Sequence, residues 1–424
     1  MCRSFGPGCR QTGFADNLQF EKSLELFKLM NEHGMRMDQF SLVAMFSVCA
    51  SREDFQSGVT LHCQALKLGL DNTAFVGNVI LTMYSKWSSI SEAEKVFRLI
   101  KERDVISCNT FIAACSHCGH HVKALSIFRD MEKVFGIAPD DFTLASTLTA
   151  CAGLASIHHG SQIHARLIRN KSDLDFIVCN ALVNMYAKCG CIEYAEALFL
   201  HMSNKNLVSW NTMISGFGNH GHGKRAVEMF EEMGAIGILP DSCTFTGLLV
   251  ACNHAGMVEE GKAYFDSMEL DYNITPGIEH LSCLIDLLGR AGRLEEAEVY
   301  LRASCFKDDS VIWGSLLSSC RLHGDIIVGE RAARKLMELG PETSSPFVLL
   351  SNLYALDERW GAVAEMRKML KGCGVKKVPG HSLIQVEGIV EKFMVGDISH
   401  VRIDEIRQTL INLNLTARKL YVRT

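Results

Sequence analysis

Four asparagines recur in register along this 424-residue sequence, and each is followed by a partner that can share a hydrogen-bonding ligand. The spacing within a pair is 26 to 31 residues, and the pairs are Asn78 with Asp104, Asn109 with Asp140, Asn180 with Asn206, and Asn211 with Asp241. An Asn amide both donates and accepts hydrogen bonds, whereas an ionised Asp only accepts them. Such a pair can meet the edge of one nucleobase. The amide suits a pyrimidine, and the carboxylate favours the ring N–H that uracil has and cytosine lacks.

A structural role is the alternative for any single pair. Asn in the first turn of a helix often bonds to the backbone, and Asp that follows Pro often starts the next helix. Because four pairs occur at equivalent places, we favour base recognition over this alternative.

The sequence does not contain the residues that a zinc deaminase needs. That chemistry requires His-x-Glu and Cys-x-x-Cys, yet none of the sixteen His residues is followed two positions later by Glu. Cys115 and Cys118 have zinc-like spacing but no second ligand pair at a sensible distance, so we interpret them as structural. We expect no enzyme activity, no metal site and no cofactor.

The composition indicates a folded protein rich in helices. Hydrophobic residues make up 48% of the chain, and Pro is scarce at seven. The seventeen Cys are interpreted as small core residues of a reducing compartment, since Cys49, Cys151 and Cys252 recur 102 and 101 residues apart. A net charge of −5 argues against nucleic-acid binding by bulk charge, although not against base reading in a local groove.

No apolar run approaches the length of a membrane span, so we expect no membrane partner. The first seventeen residues do not form a convincing transit peptide, and the first complete repeat follows soon after them. We therefore expect the natural start of the protein to lie upstream.

A repeat of 31 to 36 residues underlies the recurring positions. After a degraded unit that ends at Asp38, the units span 39–73, 74–104, 105–140, 141–175, 176–206, 207–241, 242–277 and 278–309. Periods of this length indicate stacked supersecondary units.

Each unit is predicted to be a helical hairpin. In 207–241 the first helix has Val208, Met213, Ile214 and Phe217 at helical spacing, and a second apolar face follows the turn HGHG. One hairpin cannot bury both of its faces, so neighbours are expected to stack. The predicted fold class is therefore all-α: a right-handed α-solenoid with a concave inner surface.

Four short motifs resemble those of the pentatricopeptide repeat family. They are SWNTMISG, GILPD at 237–241, ACNHAGMVEEG at 251–261 and LIDLLGRAGRLEEAE at 284–298. The alternation of ordinary, long and short units is similar to the plant PLS subclass, and the resemblance extends from about residue 15 over nearly the whole chain. The Trp/Leu-Gly/Tyr pattern of tetratricopeptide repeats is missing.

The resemblance implies that a unit reads one base of single-stranded RNA through its fifth and last residues. In this family Asn with Asp favours U, and Asn with Asn, as in Asn180 and Asn206, favours C over U. Ser282 with Asp309 implies a purine, G, although Glu279 lies at the stacking position of that unit. Thr246 lies in a unit that ends in Gly277, and the base that it reads is left open.

A second groove residue is implied to pack on the base face, and the four positions are Phe75, Ile106, Ile177 and Val208. The long units have Val43 and Ala145 in the fifth position, which cannot read a base edge, so they are expected to act as spacers. Read 5′ to 3′ from residue 74, the units should prefer U, U, any base, C or U, U, an open position and G. In editing proteins of the family the target cytidine lies about four nucleotides beyond the last short repeat.

The C-terminal region resembles an extension found in editing-type PLS proteins. Residues 312–339 and 347–370 are similar to the two extension motifs, and 379–400 is similar to the segment that opens the family's deaminase domain. The last segment is predicted to form a β-hairpin around 387–388. The expected domains are thus 1–38 (a degraded repeat), 39–309 (repeats), 310–379 (E extension) and 380–424 (E+ segment, a truncated start of the deaminase domain).

A basic run in this region lacks acidic residues, and it contains Arg367, Lys368, Lys371, Lys376 and Lys377. Contact with RNA phosphate and a solvated helix end are equally open interpretations.

The resemblance implies an organellar site-recognition factor for C-to-U editing of single-stranded RNA. The deaminase and other editing factors would be recruited in trans, and neither DNA nor a membrane is an expected partner. The expected compartment is the mitochondrion, with the chloroplast as the alternative. The alternative functions are that of an RNA stability or splicing factor and that of a protein-interaction scaffold.

Overall fold

The structure is a computed structural model that describes residues 27, 29, 33, 38–52, 54–169, 175–340, 344–372, 381–386, 389–394, 398–400 and 402–421. The chain divides into two compact units, Met1–Ala291 and Gly292–Thr424. Helices of the first unit are α1 (Gln39–Arg52), α2 (Phe55–Leu68), α3 (Ala74–Lys86), α4 (Ile90–Leu99), α5 (Val105–His117), α6 (His121–Lys133), α7 (Asp141–Gly153), α8 (Ile157–Arg169), α9 (Phe176–Lys188), α10 (Ile192–His201), α11 (Leu207–Asn219), α12 (Gly223–Ala235), α13 (Ser242–Ala255), α14 (Val258–Leu270) and α15 (Ile278–Arg290).

These helices pack as a stack of hairpins. Each odd-numbered helix from α1 to α13 contacts the even-numbered helix that follows it, and it also contacts the next odd-numbered helix. The odd-numbered helices therefore form one continuous layer, and the even-numbered helices pack against one side of this layer. None of the described helices is long and apolar enough to cross a bilayer.

The boundaries of the units are set by helix caps. Asp104, Asp140, Asn206 and Asp241 each precede a first helix, and each accepts a hydrogen bond from the backbone N–H of the third helical residue. The side chain of that third residue accepts the backbone N–H of the capping residue in return, which completes a capping box. One such cap contributes about 1 kcal/mol to helix stability.

The core fills the space between neighbouring hairpins. Met213 and Ile214 are fully buried and Phe217 is 4% exposed, as their spacing predicts. Val208 shares this helical spacing but is also predicted to pack on a base face, and its side chain is 57% exposed. It lies in the first turn of α11, where the layer of first helices leaves the side chain uncovered.

The recurring cysteines are core residues, as predicted. Cys49, Cys151 and Cys252 are at most 2% exposed. Burial raises the pKa of the Cys49 thiol to about 11 and of the other two thiols to about 12, so all three are protonated at neutral pH.

Small residues let adjacent hairpins approach closely. A Cβ atom on Gly160 of α8 would lie 2.4 Å from the Met185 Sδ atom of α9, and one on Gly58 of α2 would lie 2.7 Å from the Met83 Sδ atom of α3. A Cβ on Gly261 of α14 would likewise lie 2.4 Å from Leu287. The long units thus use glycine to accept a side chain from the next unit.

The second compact unit contains helical hairpins, a small two-stranded sheet and a final helix. Its helices are α16 (Leu294–Ala303), α17 (Ser310–His323), α18 (Ile326–Glu338), α19 (Ser345–Leu356), α20 (Trp360–Gly372) and α21 (Ile403–Tyr421). Strands β1 (His381–Val386) and β2 (Ile389–Met394) pair antiparallel, with Val386 opposite Ile389.

The predicted fold class is confirmed: an all-α solenoid of helix-turn-helix repeats with a small C-terminal β-hairpin. The turn predicted at 387–388 lies outside the described residues.

Candidate nucleic-acid interface

Three of the four predicted pairs are joined by hydrogen bonds between side chains. Asn78 Nδ2 donates to Asp104 Oδ1 at 3.2 Å, and Asn211 Nδ2 donates to Asp241 Oδ1 at 3.0 Å. In the third pair, the Asn109 amide reaches Oδ1 and Oδ2 of Asp140 at 3.0 and 3.1 Å. The first helix of one unit and the cap of the next therefore hold the two predicted readers side by side.

The fourth pair differs. Among the described residues, no hydrogen bond joins Asn180 to Asn206, and the Asn180 Oδ1 atom is buried without a partner. Asn206 Oδ1 accepts instead from the backbone N–H and the hydroxyl of Ser209, both at 3.0 Å. An amide at the last position thus does not orient its neighbour as a carboxylate does.

The carboxylates of these pairs are held in their ionised form. Burial alone would raise the pKa of the Asp104, Asp140 and Asp241 carboxyls, but hydrogen bonds oppose this and lower the pKa below its usual value. The donors are the backbone and hydroxyl of the third helical residue together with the paired Asn. An ionised carboxylate offers only acceptors to a ligand.

Capping and base reading are therefore compatible roles for the same carboxylate. Asp140 Oδ1 lies 2.7 Å from the Thr143 backbone nitrogen, while Asp140 Oδ2 lies 3.1 Å from the Asn109 amide. Helix capping is what these residues do within the fold. It leaves each carboxylate able to accept a further hydrogen bond.

The third residue of α5, α7, α11 and α13 is a Ser or Thr that takes part in these contacts, and the sequence interpretation missed it. The Thr143 hydroxyl lies 2.5 Å from Asn109 Oδ1, and the Thr244 hydroxyl lies 2.7 Å from Asn211 Oδ1. Where Ser takes this place, at 107 and 209, the preceding Asn oxygen is buried and has no partner. The recurring S/T at position three is the signal that could have revealed it.

A cleft between α9 and α11 brings the predicted reader residues together with a cation. Its volume is about 750 Å³, and its lining includes Lys188, Val208, Asn211 and Asp241. A base in this cleft would meet an amide, a carboxylate, an exposed aliphatic side chain and a positive charge.

The four predicted stacking side chains are all solvent-exposed, although each is large and apolar. They are 43 to 62% exposed: Phe75, Ile106, Ile177 and Val208. Exposed apolar side chains at one repeated position are suited to packing against the face of a base. The roles of these residues remain predictions.

The long units 39–73 and 141–175 lack a polar residue at the fifth position, as their sequences indicate. Ala145 is buried and Val43 is half-buried. Thr73 and Asp175, which end these units, cap the following helices through Val76 and Ile177.

The last two reading positions are less regular. Thr246 contacts His280 instead of a carboxylate, because Gly277 ends the unit. Ser282 is half-buried on α15, and Asp309 caps α17 through the backbone nitrogens of Val311 and Ile312. Ser282 belongs to the first compact unit and Asp309 to the second.

Cations recur in the last turn of the first helices, and the sequence interpretation missed them. The side chains are exposed, and they are Lys86, Lys188 and Arg290. A cation at this end of a helix is favoured by the helix dipole. Lys188 lines the reader cleft, so it can also reach a ligand phosphate.

The basic run of the second unit lies beside an exposed aromatic ring. Trp360, Arg367, Lys368 and Lys371 line a shallow concavity on α20. Lys376 and Lys377 lie outside the described residues.

No group of three or more metal-ligating side chains that could hold an ion occurs within the described part of the chain. Cys115 is buried and Cys118 half-buried. Their structural role stays a prediction.

Models of known families match most of the repeats. The "PPR repeat family" model matches 103–153 and 205–254, and the "PPR repeat" model matches 12–35, 78–105, 177–207, 243–271 and 280–303. An "E motif" model matches 323–385.

One solved structure similar in fold is the pentatricopeptide repeat protein PPR10 in complex with an 18-nt psaJ RNA element. It is 15% identical with a TM-score of 0.53, and the match covers 86% of this chain and 60% of that one. At this identity the likeness concerns the fold alone.

Relatives from Arabidopsis thaliana share more sequence. One pentatricopeptide repeat-containing protein is 39% identical over 388 residues, covering 92% of this chain and 39% of its own length. The chloroplastic protein CRR2 is 35% identical, with 93% of this chain and 61% of CRR2 covered. The chain thus spans less than two thirds of the length of these relatives.

A putative pentatricopeptide repeat-containing protein from the same plant is covered more fully. It is 33% identical over 464 residues, which include 94% of this chain and 68% of that protein. With this relative, the matching repeat models and the E motif together, the chain belongs to the pentatricopeptide repeat family.

Proposed function

We propose that this chain binds single-stranded RNA in a plant organelle and reads it one base per ordinary or short repeat. The observation that carries the proposal is the cleft between α9 and α11, in which Asn211, Asp241, Val208 and Lys188 converge. Amide and carboxylate oxygens and N–H groups recognise base edges, an apolar side chain covers the base face, and a cation neutralises phosphate. The RNA element bound to PPR10 supports the same ligand class.

The residues proposed to read bases occupy the same positions in their units as the cleft residues Asn211 and Asp241 occupy in theirs. Asn78, Asn109, Asn180 and Asn211 would act with the last residues of their units, and Thr246 and Ser282 would act at the two positions nearest the E motif. The RNA sequence proposed to bind the units from residue 74 onward is therefore U, U, any base, C or U, U, an open position and G.

A direct binding series tests RNA recognition. The purified chain would be titrated with a seven-nucleotide RNA of this order, with the same RNA scrambled, and with the corresponding DNA, all at one salt concentration. We expect the designed RNA to bind more tightly than the scrambled RNA by at least tenfold, since one mismatch costs about 1–3 kcal/mol. Equal affinity for all three would refute base reading.

We further propose that binding serves site recognition for C-to-U editing, with a deaminase and other editing factors acting in trans. The matching E motif supports this role, because the C-terminal residues 310–379 resemble the extension of editing-type proteins. The proposed domains remain 1–38, 39–309, 310–379 and 380–424.

Sequencing of organellar transcripts from a plant that lacks the protein tests the editing role. Loss of one or a few C-to-U events, four nucleotides beyond the proposed site, would support it. Unchanged editing with altered transcript abundance or splicing would instead support the alternative role in RNA stability or splicing. Relatives named chloroplastic, mitochondrial or both support an organellar location, and we favour the mitochondrion.

A further inference from the structure

One face of α20 carries a charged residue where the preceding second helix has a small buried one. Gly329 of α18 lies against Leu353 of α19: a Cβ atom on this glycine would be 2.3 Å from the leucine Cδ2 atom. Ala333, one turn later on α18, is fully buried. Both α18 and α20 have 13 residues, and the eighth residue of α20, equivalent to Ala333, is the exposed Arg367. This face of α20 is therefore not built to receive another hairpin.

We call the surface formed by Trp360, Arg367, Lys368 and Lys371 the α20 face. The four side chains are exposed, and they line a shallow concavity of about 420 Å³. Their spacing along the helix places them on one side of it. Glu365 is the only acidic residue of α20, and it is not among the lining residues. The α20 face is thus purely cationic and aromatic.

The three cations of the α20 face have no acidic partner within the part of the chain that the structure describes. Other cations of the second unit are paired. Arg359 lies 2.9 Å from Glu330, and Lys335 lies 2.7 Å from Asp308. Uncompensated charges of one sign raise the local concentration of ions of the opposite sign, so the α20 face should attract an anionic partner.

Trp360 restricts the kind of anion. Its side chain is 65% exposed at the edge of the same concavity. Exposed aromatic rings stack with nucleobases regardless of sequence, because every base has a π-face, and cations beside the ring track the backbone phosphates. A single-stranded nucleic acid therefore matches both parts of the α20 face.

We propose that the α20 face is a second RNA-binding surface, which holds nucleotides on the 3′ side of the seven bases assigned to the repeats. Arg367, Lys368 and Lys371 would contact phosphates, and Trp360 would stack with a base of any type. The 3′ side follows from the proposed 5′ to 3′ reading, since α20 comes after the last repeat in the chain. The inference rests on the proposed function, and it assigns to the E motif a role in holding the RNA itself.

Extension of the RNA tests the proposal in the full chain. The seven-nucleotide RNA would be compared with two longer RNAs that carry about six adenosines at the 3′ end or at the 5′ end. We expect the 3′ extension to raise the affinity about fivefold or more, because one stacked base is sufficient for this gain. No gain from the 3′ extension would overturn the proposal. If the seven-nucleotide RNA binds no better than a scrambled one, the proposed function fails and this inference with it, which is a different result.

Trp360→Ala tests the stacking contact at an exposed site. The gain from the 3′ extension should fall to about twofold or less, while the affinity for the seven-nucleotide RNA and the effect of the 5′ extension stay unchanged. Equal weakening of all three RNAs would mean that Trp360 acts through the fold and would overturn the proposal. An undiminished 3′ gain would also overturn it, and would favour an acidic protein surface as the partner of the α20 face.

Lys368→Gln tests the phosphate contact separately. With the 3′-extended RNA it should lower the slope of log affinity against log salt by about 0.7, the value for one phosphate of a single strand, and it should not affect the slope for the seven-nucleotide RNA. Arg334→Gln is the matched control, because Arg334 is the exposed ninth residue of α18 as Lys368 is of α20. It should change neither slope. An unchanged slope for Lys368→Gln with the extended RNA would overturn the assignment of phosphate contacts to the α20 face.

Discussion

The Asn109 amide nitrogen lies 3.0 and 3.1 Å from the two carboxylate oxygens of Asp140, a residue that at the same time caps the following helix. The contact joins two hairpins through the very groups proposed to read a base. Any change of either residue is therefore felt in both packing and recognition, and experiments must separate the two effects.

Asn206→Asp should shift the base preference of the unit 176–206 from C towards U. A carboxylate at this place can accept the ring N–H of uracil, as is proposed for Asp104, Asp140 and Asp241, and the change should alter one preference by about 1–3 kcal/mol. Binding to RNAs varied only at the fourth position measures it. Asn204→Asp makes the same change of charge two residues earlier and should have no such effect. If Asn206→Asp weakens all sequences equally, Asn206 is only a helix cap.

Lys188→Gln should weaken RNA binding without changing base preference. Lys188 lines the cleft beside Asn211 but is a point charge suited to phosphate, so its loss should lower the slope of log affinity against log salt by about 0.7. The measurement is a series of titrations between low and moderate salt. Lys224→Gln removes an exposed charge from α12, a second helix, and should leave the slope unchanged. An unchanged slope for Lys188→Gln would place this side chain outside the RNA path.

Gly160→Ala should destabilise the fold. The added Cβ would lie 2.4 Å from Met185 Sδ, so overpacking by about 1–3 kcal/mol outweighs the gain in helix propensity. Gly234→Ala is the control, since a Cβ there meets nothing within 4 Å and should stabilise α12 by about 0.5–1 kcal/mol. Denaturant unfolding measures both free energies.

A double-mutant cycle with Met185 identifies the cause. In a Met185→Ala background the atom that the new Cβ meets is gone, so Gly160→Ala should no longer destabilise the protein. Equal destabilisation in both backgrounds would contradict the packing explanation.

Asp140→Asn should make the protein less sensitive to acid. Hydrogen bonds lower the folded-state pKa of the Asp140 carboxyl, so its contribution to stability is complete above the unfolded pKa and is lost as pH falls through the folded pKa. Unfolding free energies at pH 7 and near pH 3 should therefore differ more for the wild type than for the variant. Asp141→Asn, which removes a charge one residue away, should not reproduce this difference. An identical acid response of wild type and Asp140→Asn would refute this linkage.

Local patterns predicted the positions of the repeats, and distant contacts account for what was missed. The capping residues and apolar spacing lie within one unit, so the sequence places α11 and its neighbours correctly. Thr143 and His280 act on residues 34 positions earlier, and nothing in the local sequence distinguishes them from an ordinary cap or a core histidine. Val208 has the helical spacing of the core and also a predicted place on the base face, and the stacking of whole hairpins determines that its side chain is exposed.

The capping role of the last residue in each unit has an evolutionary consequence. If the last residue of each unit reads a base, the residue types available at this position are limited to those whose side chains can also start a helix, such as Asp and Asn. A mutation between these two keeps the cap, alters the hydrogen bond to the paired Asn and changes the preferred pyrimidine. Lineages can therefore exchange one RNA target for another in single steps without passing through an unfolded intermediate, whereas replacement by an apolar residue would remove target preference and helix start together.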